Sequence, residues 1–396
     1  MKQKIVVLRA RRNGTRDIFL GPRGPAAPMG DPGEGMEVEV QTIERRDIPK
    51  VARSGDVVAL APSMPMRLVA PVDIKDVAAQ PAADEIAWGV KAVGADTSPF
   101  DGNGVVVAVL DTGIDASHPA FGGVTIVQKD FTGTGDGDAH GHGTHCAGTI
   151  FGRTTASQRI GVAPGVKKAL IGKVLGPGGG SSESIVSAIQ WAHENGAHVI
   201  SMSLGMDFPG LVEELQGQGM PVALATSRAL EAYRANVQLF ERLAAWLRVS
   251  AAFIQPTVLV AAAGNESRRE QHPDFELAVA PPAVSEGFIS VGALGQASGG
   301  WVVGDFSNTG PNLSGPGVDI LSAKAGGGFR LMSGTSMATP HVAGVAALWA
   351  QKISANGPLT PLNLTSKLVA AAVTEGLKAP FDPFDVGAGM VRAPQS

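Results

Sequence analysis

Three side chains in this sequence belong to the types that carry out nucleophilic catalysis without a metal: Asp111, His142 and Ser336. Each stands in a short string rich in glycine and small polar residues. Such catalysis needs a nucleophile, a base that deprotonates it, an acid that orients the base, and donors for the developing oxyanion. A hydroxyl, an imidazole and a carboxylate are candidates for the first three parts.

Each of these residues, taken alone, has an ordinary structural explanation. An Asp after a strand is commonly a turn or cap residue, a Ser before a helix is commonly an N-cap, and a His in a Gly-rich loop carries little information. The observation that favours chemistry is the joint occurrence of three extended strings, at 110–115, 141–148 and 333–341. If the three residues had only structural roles, three independent structural explanations would all have to hold at once.

The elements that must position these residues follow from hydrophobic patterning. Residues 105–110 form an apolar, β-branched run that predicts a buried parallel strand, and Asp111 follows at its carboxyl end, where open parallel sheets place active sites. Further strands and helices alternate along the chain, with strands predicted at 168–174, 198–203 and 257–262 and helices at 182–195, 228–250 and from about 142. This alternation predicts an α/β fold of three α/β/α layers around a mostly parallel sheet.

The first eighty residues have a different texture. Strands are predicted at 4–9, 37–42 and 57–60, and a Gly/Pro-rich loop at 21–35. We therefore expect a small N-terminal α+β module over 1–80 and a catalytic domain over 81–396, in keeping with the size at which single cores stop growing.

Composition excludes several classes of function. The formal net charge is −4 without a long basic block, so no nucleic-acid partner is expected, and the apolar runs are too short or interrupted for a membrane span. A single cysteine, Cys146, forms no internal disulfide, and the first residues contain no signal-peptide core. The expectation is a soluble, cytoplasmic protein, and the alternative is export by a route that uses no signal peptide.

The three strings resemble the Asp, His and Ser signatures of the subtilisin-like serine proteases (subtilases), and the resemblance extends over roughly 85–395. It implies that Ser336 is the nucleophile, His142 the general base and then acid, and Asp111 the group that orients His142. It also implies that Asn265 donates to the oxyanion beside the Ser336 backbone amide. The implied function is a serine endopeptidase that cleaves peptide or protein substrates through an acyl-enzyme.

The same resemblance indicates the substrate groove. Extended peptides would add as a strand between two backbone segments, which here are Gly178, Gly179 and Gly180 on one side and Ser203, Leu204 and Gly205 on the other. Asp138 falls where some family members line the pocket for the residue preceding the scissile one. The alternatives are a flexible loop at 178–180 and a solvated acidic loop around Asp138.

Metal sites are expected to differ from those of many secreted relatives. Ala120 occupies a position where those relatives have a carboxylate ligand of a tight calcium site, so that site is expected to be absent, although a different calcium site stays open. His142, His145 and His341 lack the spacing and the glutamate of zinc-protease helices. No cofactor is required and no metal ligands are assigned.

Two parts of the chain could regulate access to the site. The N-terminal module resembles a family propeptide in position and size. As an intramolecular inhibitor it would cap the active site and be cleaved within 71–88. The alternative is a permanent accessory domain. An extra segment at 206–227 would form a lid or rim. A monomer is expected.

Two other functions stay open from the sequence. One is a subtilase-like macrocyclase or transpeptidase, in which an amine resolves the acyl-enzyme behind a shield formed by 206–227. The other is a peptide-binding pseudoprotease, which is disfavoured because every catalytic position is filled. Cyclic or ligated products would identify the first, and failure to react with a fluorophosphonate would identify the second.

Overall fold

The computed structural model describes residues 2–10, 35–76, 85–251 and 255–396. The strands are β1 (Lys2–Ala10), β2 (Met36–Glu44), β3 (Val57–Pro62), β4 (Pro65–Leu68), β5 (Asp73–Asp76), β6 (Glu85–Ile86), β7 (Val106–Asp111), β8 (Thr125–Asp130), β9 (Gln158–Arg159), β10 (Lys168–Lys173), β11 (Gly180–Ser181), β12 (Val199–Met202), β13 (Leu204–Met206), β14 (Val258–Ala262), β15 (Phe288–Ala297), β16 (Gly300–Val303), β17 (Leu313–Pro316), β18 (Ile320–Ala323) and β19 (Phe329–Ser333). The helices are α1 (Ile48–Ala52), α2 (Trp88–Ala92), α3 (His142–Phe151), α4 (Ser182–Glu194), α5 (Phe208–Gly217), α6 (Val222–Ser250), α7 (Thr335–Asn356), α8 (Pro361–Ala371) and α9 (Pro383–Val386).

An eight-stranded sheet forms the centre of the fold, in the order β16-β15-β14-β12-β7-β10-β8 with β17 also beside β15. The β15–β16 pair is antiparallel, and the other pairs of this sheet are parallel. Successive side chains of β7 point to opposite faces: Val107 and Val109 pack with α3, α7 and α8, whereas Ala108 and Leu110 pack with α4 and α6. The predicted three-layer α/β/α fold is confirmed.

Two helices begin at residues other than those expected from the sequence. Helix α6 begins at Val222 rather than near 228, directly after Pro221, which is its N-cap and has no backbone N–H. The apolar run at 342–350 predicts a helix with Ser336 in the loop before it, but helix α7 begins at Thr335, so Ser336 lies inside its first turn. The three- and four-residue spacing of apolar side chains on α6 predicts that Leu230 lies on its packed face, but Leu230 is 50% exposed. No helix in the described ranges is long and apolar enough to cross a membrane.

The N-terminal part forms an antiparallel sheet, β2-β1-β3, that is covered on both faces. On β1, Val6 and Leu8 join the core made by α4 and α6, while Ile5 and Val7 pack against α1. Because alternate side chains of β1 point to opposite faces, one face of this small sheet packs on the α4 and α6 core and is buried there. The boundary predicted near residue 80 lies within 77–84, and most of the predicted 21–35 loop lies within 11–34; both fall outside the described residues, so the domain limits stay a prediction.

Beyond β3 the chain runs across the carboxyl edge of the central sheet. Strand β4 lies between β11 and β13 and is antiparallel to both, and β5 pairs with β19. The segment Pro65–Asp76 is therefore held by backbone pairing on both sides of the point where β7, α3 and α7 meet.

Candidate active site

Asp111 and His142 form a buried pair at the end of β7 and the start of α3. Gly141 has a φ of 87° and precedes the helix, which places the imidazole of His142 over the strand end. His142 Nδ1 lies 2.8 Å from Asp111 Oδ1, and the Thr112 backbone N–H donates to the same oxygen over 2.7 Å. Because a carboxylate only accepts, Nδ1 carries the proton and Nε2 is the free basic nitrogen.

The electrostatics of this pair favour a charged imidazole. Burial lowers the pKa of His142, but the charge of Asp111, assisted by Cys146, outweighs burial and raises that pKa well above 6.5. Nε2 is buried and makes no hydrogen bond within the described residues. The imidazole is thus a strengthened base whose free nitrogen can take up a proton.

Ser336 is fully buried in the first turn of α7. Its Oγ donates to the backbone carbonyl of Val69 over 2.6 Å. The thiol of Cys146 lies 3.7 Å from His142 Nδ1 and 3.4 Å from the Ser336 carbonyl oxygen, so the helices that carry the base and the hydroxyl are in contact at this point. The structure therefore brings the three residues expected from the sequence to one site.

The side-chain amide of Asn265 is oriented by Thr335, a residue that the sequence reasoning missed. Its Oδ1 accepts from the Thr335 backbone N–H over 2.9 Å and from the Thr335 hydroxyl over 2.8 Å. Nδ2 is thereby aimed into the cleft, where it donates to the carbonyl of Ala70 over 2.8 Å. Gly334 leaves room for this amide, since a Cβ there would lie 2.9 Å from Nδ2. The position of Thr335 directly before Ser336 was the available signal.

The oxyanion role that the resemblance implies for Asn265 predicts that Asn265→Ala lowers kcat by about 10²–10³-fold, the usual cost of removing such a donor. KM should change little, because the bond strengthens as the oxyanion forms. The measurement is steady-state hydrolysis of a peptide by protein whose processing state has been checked by intact mass. Asn356→Ala, at the exposed end of α7, is the matched control, and a loss of kcat below threefold at Asn265 would contradict this role.

The predicted groove segments border strand β4. Leu204 pairs with Leu68 and Gly205 with Arg67, and the Val69 N–H donates to the Ser203 carbonyl over 3.2 Å. On this side, the three residues expected from the sequence contact the bound strand through their backbone.

The opposite wall is formed by the glycines that precede α4. Gly180 pairs with Met66 in the antiparallel register. A Cβ at Gly179 would lie 2.7 Å from the Met66 carbonyl oxygen, so the close approach needs a glycine, whereas a Cβ at Gly178 would meet nothing within 4 Å. Gly179 and Gly180 thus border the strand, and a role for Gly178 stays a prediction.

Asp138 holds the loop that precedes α3. Its carboxylate accepts from the Thr112 hydroxyl over 2.8 Å, from the Gly141 N–H over 2.8 Å, and from the Thr144 N–H and hydroxyl over 2.9 and 2.7 Å. Burial raises the pKa of Asp138, but these bonds more than offset it and hold the pKa below its ordinary value. The substrate contact assigned to Asp138 from the sequence stays a prediction; its observed contacts position the start of the His142 helix.

We expect Asp138→Ala to reduce the free energy of unfolding by about 1–3 kcal/mol, because it leaves hydroxyl and N–H groups without their acceptor. Denaturant unfolding of the Ser336→Ala background, which avoids self-digestion, measures this loss. Asp136→Ala, an exposed aspartate in the same loop, should change stability by less than about 0.5 kcal/mol. Equal effects of the two substitutions would contradict the positioning role.

Within the described ranges, one group of side chains has the proximity that a metal ion needs: Asp111, His142 and Cys146, whose ligand atoms lie within 4.8 Å of one another. The other two histidines considered above have backbone partners. His145 Nε2 lies 3.0 Å from the carbonyls of Ile320 and Arg330, and burial lowers its pKa to about 3. His341 bonds the Met337 carbonyl through Nδ1, and burial lowers its pKa to about 4.

Comparison with known proteins agrees with this site. The family model described as the subtilase family (Peptidase S8) matches residues 102–389, which include the Asp111, His142, Asn265 and Ser336 positions. The chain therefore belongs to the subtilase family of serine endopeptidases.

Three relatives illustrate the similarity. M-protease of Shouchella clausii (strain KSM-K16) is 36% identical over 279 residues, which cover 68% of this chain and 61% of the relative. Subtilisin Savinase of Lederbergia lenta is also 36% identical over 279 residues, with 68% and 86% covered. An intracellular serine protease of Paenibacillus polymyxa is 34% identical over 310 residues, with 74% and 82% covered. The chain thus spans less than two thirds of M-protease and more than four fifths of the other two.

Proposed function

We propose that this chain hydrolyses peptide bonds of protein substrates with Ser336, His142, Asp111 and Asn265. Ser336 Oγ attacks the peptide carbonyl carbon and passes its proton to His142 Nε2, while Asn265 Nδ2 stabilises the oxyanion. The tetrahedral intermediate then expels the amine, which takes the proton from His142. Water, deprotonated by the same imidazole, releases the acid and restores Ser336.

The observation that carries this proposal is the segment of the chain already lying in the cleft. It enters the groove as β4, directs the Val69 carbonyl to Ser336 Oγ and the Ala70 carbonyl to Asn265 Nδ2, and continues into β5. An extended peptide bound by its backbone, with carbonyls on the hydroxyl and on the amide donor, is what an endopeptidase must hold.

We further propose that this segment inhibits the enzyme rather than being cut where it lies. Attack requires the hydroxyl and the oxyanion donor to act on one carbonyl, but here Ser336 bonds Val69 and Asn265 bonds Ala70. The Ser336 hydroxyl also gives its hydrogen to Val69 instead of to His142. The bond after Ala70 leads into Pro71, whose ring nitrogen has no N–H and restricts the residue before it to extended conformations.

Contacts on the far side of the cleft support a tightly held segment. The Val72 N–H donates to the Ser333 carbonyl over 2.9 Å, and Asp76 pairs with Arg330 at 2.7 Å and with Lys324 at 3.0 Å. Because the segment is fixed on both sides of Ser336, we propose that activation requires a cut in it. The window expected from the sequence, 71–88, is retained, although 77–84 lie outside the described residues.

The experiment that tests both proposals is intact mass of purified protein before and after a fluorophosphonate probe, with Ser336→Ala as the control for labelling. We expect wild type to lose an N-terminal fragment and then take up one probe, and the variant to stay intact and unlabelled. Labelling of intact wild type at full rate would show that the segment is an accessory element and not an inhibitor. Folded wild-type protein that neither takes up the probe nor hydrolyses peptides after the fragment is removed would overturn the proposed protease function.

Cofactor use, location and oligomeric state are also proposals. We propose that no cofactor is required, since side chains supply every proton transfer and the oxyanion donor. An intracellular location is supported by the name of the Paenibacillus polymyxa relative, and cell fractionation would test it. A monomer is proposed from the intramolecular filling of the cleft and is tested by light scattering. Neither the relatives' names nor the family model favours the macrocyclase or the pseudoprotease.

A further inference from the structure

Arg67 occupies a defined place in the groove. It pairs with Gly205, and Val69, two residues later, donates its N–H to Ser203 and directs its carbonyl to Ser336. In a productive complex, this register puts Val69 at the position before the cut and Arg67 two positions earlier. Side chains two apart in a strand share a face, so the Arg67 side chain projects to the same side as that of Val69.

The guanidinium of Arg67 lies between two carboxylates that come from different parts of the chain. Nη1 is 3.4 Å from Asp207 Oδ1, at the start of α5, and Nη2 is 3.1 Å from Glu266 Oε1, directly after Asn265. Both acids are about seven-tenths buried, with 27% and 30% of their side chains exposed. Two nitrogens of one planar group thus reach two separate anions, and the fixed spacing of these nitrogens favours a guanidinium over the single nitrogen of an ammonium.

Glu266 is fixed by bonds that do not involve the bound strand. Its second oxygen, Oε2, accepts from Asn308 Nδ2 over 2.8 Å, and its backbone N–H donates to Asn308 Oδ1 over 3.1 Å. Asn308 is itself buried and also donates to the carbonyls of Ala263 and Ala278. The carboxylate therefore keeps its position when another peptide replaces Arg67.

Asp207 is fixed in a similar way. It is the N-cap of α5, and its Oδ1 accepts from the Gly210 N–H over 3.1 Å. Nearby arginines are engaged elsewhere: Arg268 donates to the carbonyls of Asn265 and Ser267, and Arg269 pairs with Glu276 and Asp385. Among the described residues, Arg67 is the one cation paired with Asp207 or Glu266.

We propose that Asp207 and Glu266 form an anionic subsite that selects substrates with a basic residue, arginine above lysine, two positions before the residue whose carbonyl is attacked. This inference rests on the proposed endopeptidase function and names its substrate class. Arg67 is the occupant of the subsite in the inhibited chain. The extra segment that starts near Met206 supplies Asp207, so the insertion contributes to substrate choice through the first residue before α5.

The test uses enzyme that is expressed as the full chain and has processed itself, with four fluorogenic peptides that differ only at this position, with Arg, Lys, Gln or Glu. We expect kcat/KM for the Arg peptide to exceed that for the Gln peptide by about 3–20-fold, as two partly exposed ion pairs allow, with Lys between them and Glu lowest. The Arg/Gln ratio should fall as salt is raised from 20 to about 500 mM, because the pairs are partly screened.

Asp207→Asn with Glu266→Gln should bring the Arg/Gln ratio close to one, because the two negative charges that favour arginine are removed. Both amides retain an oxygen for the Gly210 and Asn308 bonds, so folding and register are preserved. Glu213→Gln removes one exposed charge from the same helix, and the ratio should then stay at the wild-type value.

Outcomes of this test separate the subsite from the function on which it rests. Hydrolysis of all four peptides at equal rates would overturn the subsite and leave the endopeptidase intact. A preference that survives the double substitution, or that Glu213→Gln removes equally, would also overturn it, because the charge effect would then arise from elsewhere in the groove. No hydrolysis of any peptide by processed wild type would overturn both.

Discussion

Ser336→Ala is expected to lower kcat/KM for a peptide substrate by about four to six orders of magnitude, in line with the kcat losses measured for single triad residues in subtilisin, a member of the same family. The residue carries the hydroxyl that would attack, and this hydroxyl is fully buried at the start of α7 beside the oriented Asn265 amide. Removing one oxygen deletes the covalent route, while the oxyanion donor and the groove remain and account for residual activity.

The measurement must separate the chemical step from processing, because a variant without its nucleophile cannot cut its own N-terminal segment. Trace wild-type enzyme added in trans, and then removed, provides processed variant, which intact mass verifies. Ser314→Ala is the matched control: this serine is also buried, and its Oγ makes one hydrogen bond, to the Val386 carbonyl. It should keep kcat/KM within about twofold. A Ser336→Ala protein that retains more than a hundredth of wild-type activity would remove Ser336 from the proposed mechanism.

The positions of Asp111, His142 and Ser336 could be predicted from the sequence because each is tied to a local element that the sequence also predicts. Asp111 follows an apolar β-branched run, and the carboxyl end of such a strand is where open parallel sheets bind ligands. His142 and Ser336 stand at helix starts marked by glycine, at Gly141 and Gly334. For these residues a few neighbours determine the position, and the strings themselves match those of a known family.

The remaining parts of the site depend on contacts between distant residues, which no local pattern reports. The Asn265 amide meets Ala70 across 195 residues, and Arg67 meets Glu266 across 199. From the sequence, Thr335 is an ordinary residue at the start of a helix; the structure shows that its hydroxyl donates to Asn265. That Val69 and Ala70, and not residues of the 71–88 window, lie on the catalytic groups follows from the pairing register of β4, which the short sequence 65–68 does not reveal.

Asp138 shows a different limit of sequence reasoning. The family resemblance implies a substrate contact for Asp138, which stays a prediction, and the structure shows that its carboxylate bonds Thr112, Gly141 and Thr144 within its own neighbourhood. Sequence spacing gives proximity to the histidine but not the direction of a side chain. An acidic residue in a Gly-rich loop is equally suited to holding that loop, and hydrogen-bond partners are needed to tell the two roles apart.

Asp111→Asn is expected to lower kcat by about 10³–10⁴-fold near neutral pH, a magnitude that follows the same substitution in other Ser-His-Asp proteases. The Asp111 carboxylate accepts the proton of His142 Nδ1 over 2.8 Å, which leaves Nε2 as the base. An asparagine can offer its NH₂ group to Nδ1 instead, and the imidazole then carries its proton on Nε2, where it cannot deprotonate Ser336.

The pH profile distinguishes this electrostatic role from a loss of structure. In wild type the charge of Asp111 raises the His142 pKa above 6.5, so kcat/KM should decline as pH falls through that raised value, because protonated His142 is not a base. Without the anion, burial dominates and lowers the pKa, so the acid limb of the variant should move to lower pH. Asp382→Asn is the control, because Asp382 is a helix N-cap that asparagine can replace. It should shift neither the acid limb nor the plateau of the pH profile of kcat/KM. An acid limb that stays in place in Asp111→Asn would mean that another group titrates, and a wild-type rate that stays flat down to pH 4 would exclude His142 as the base.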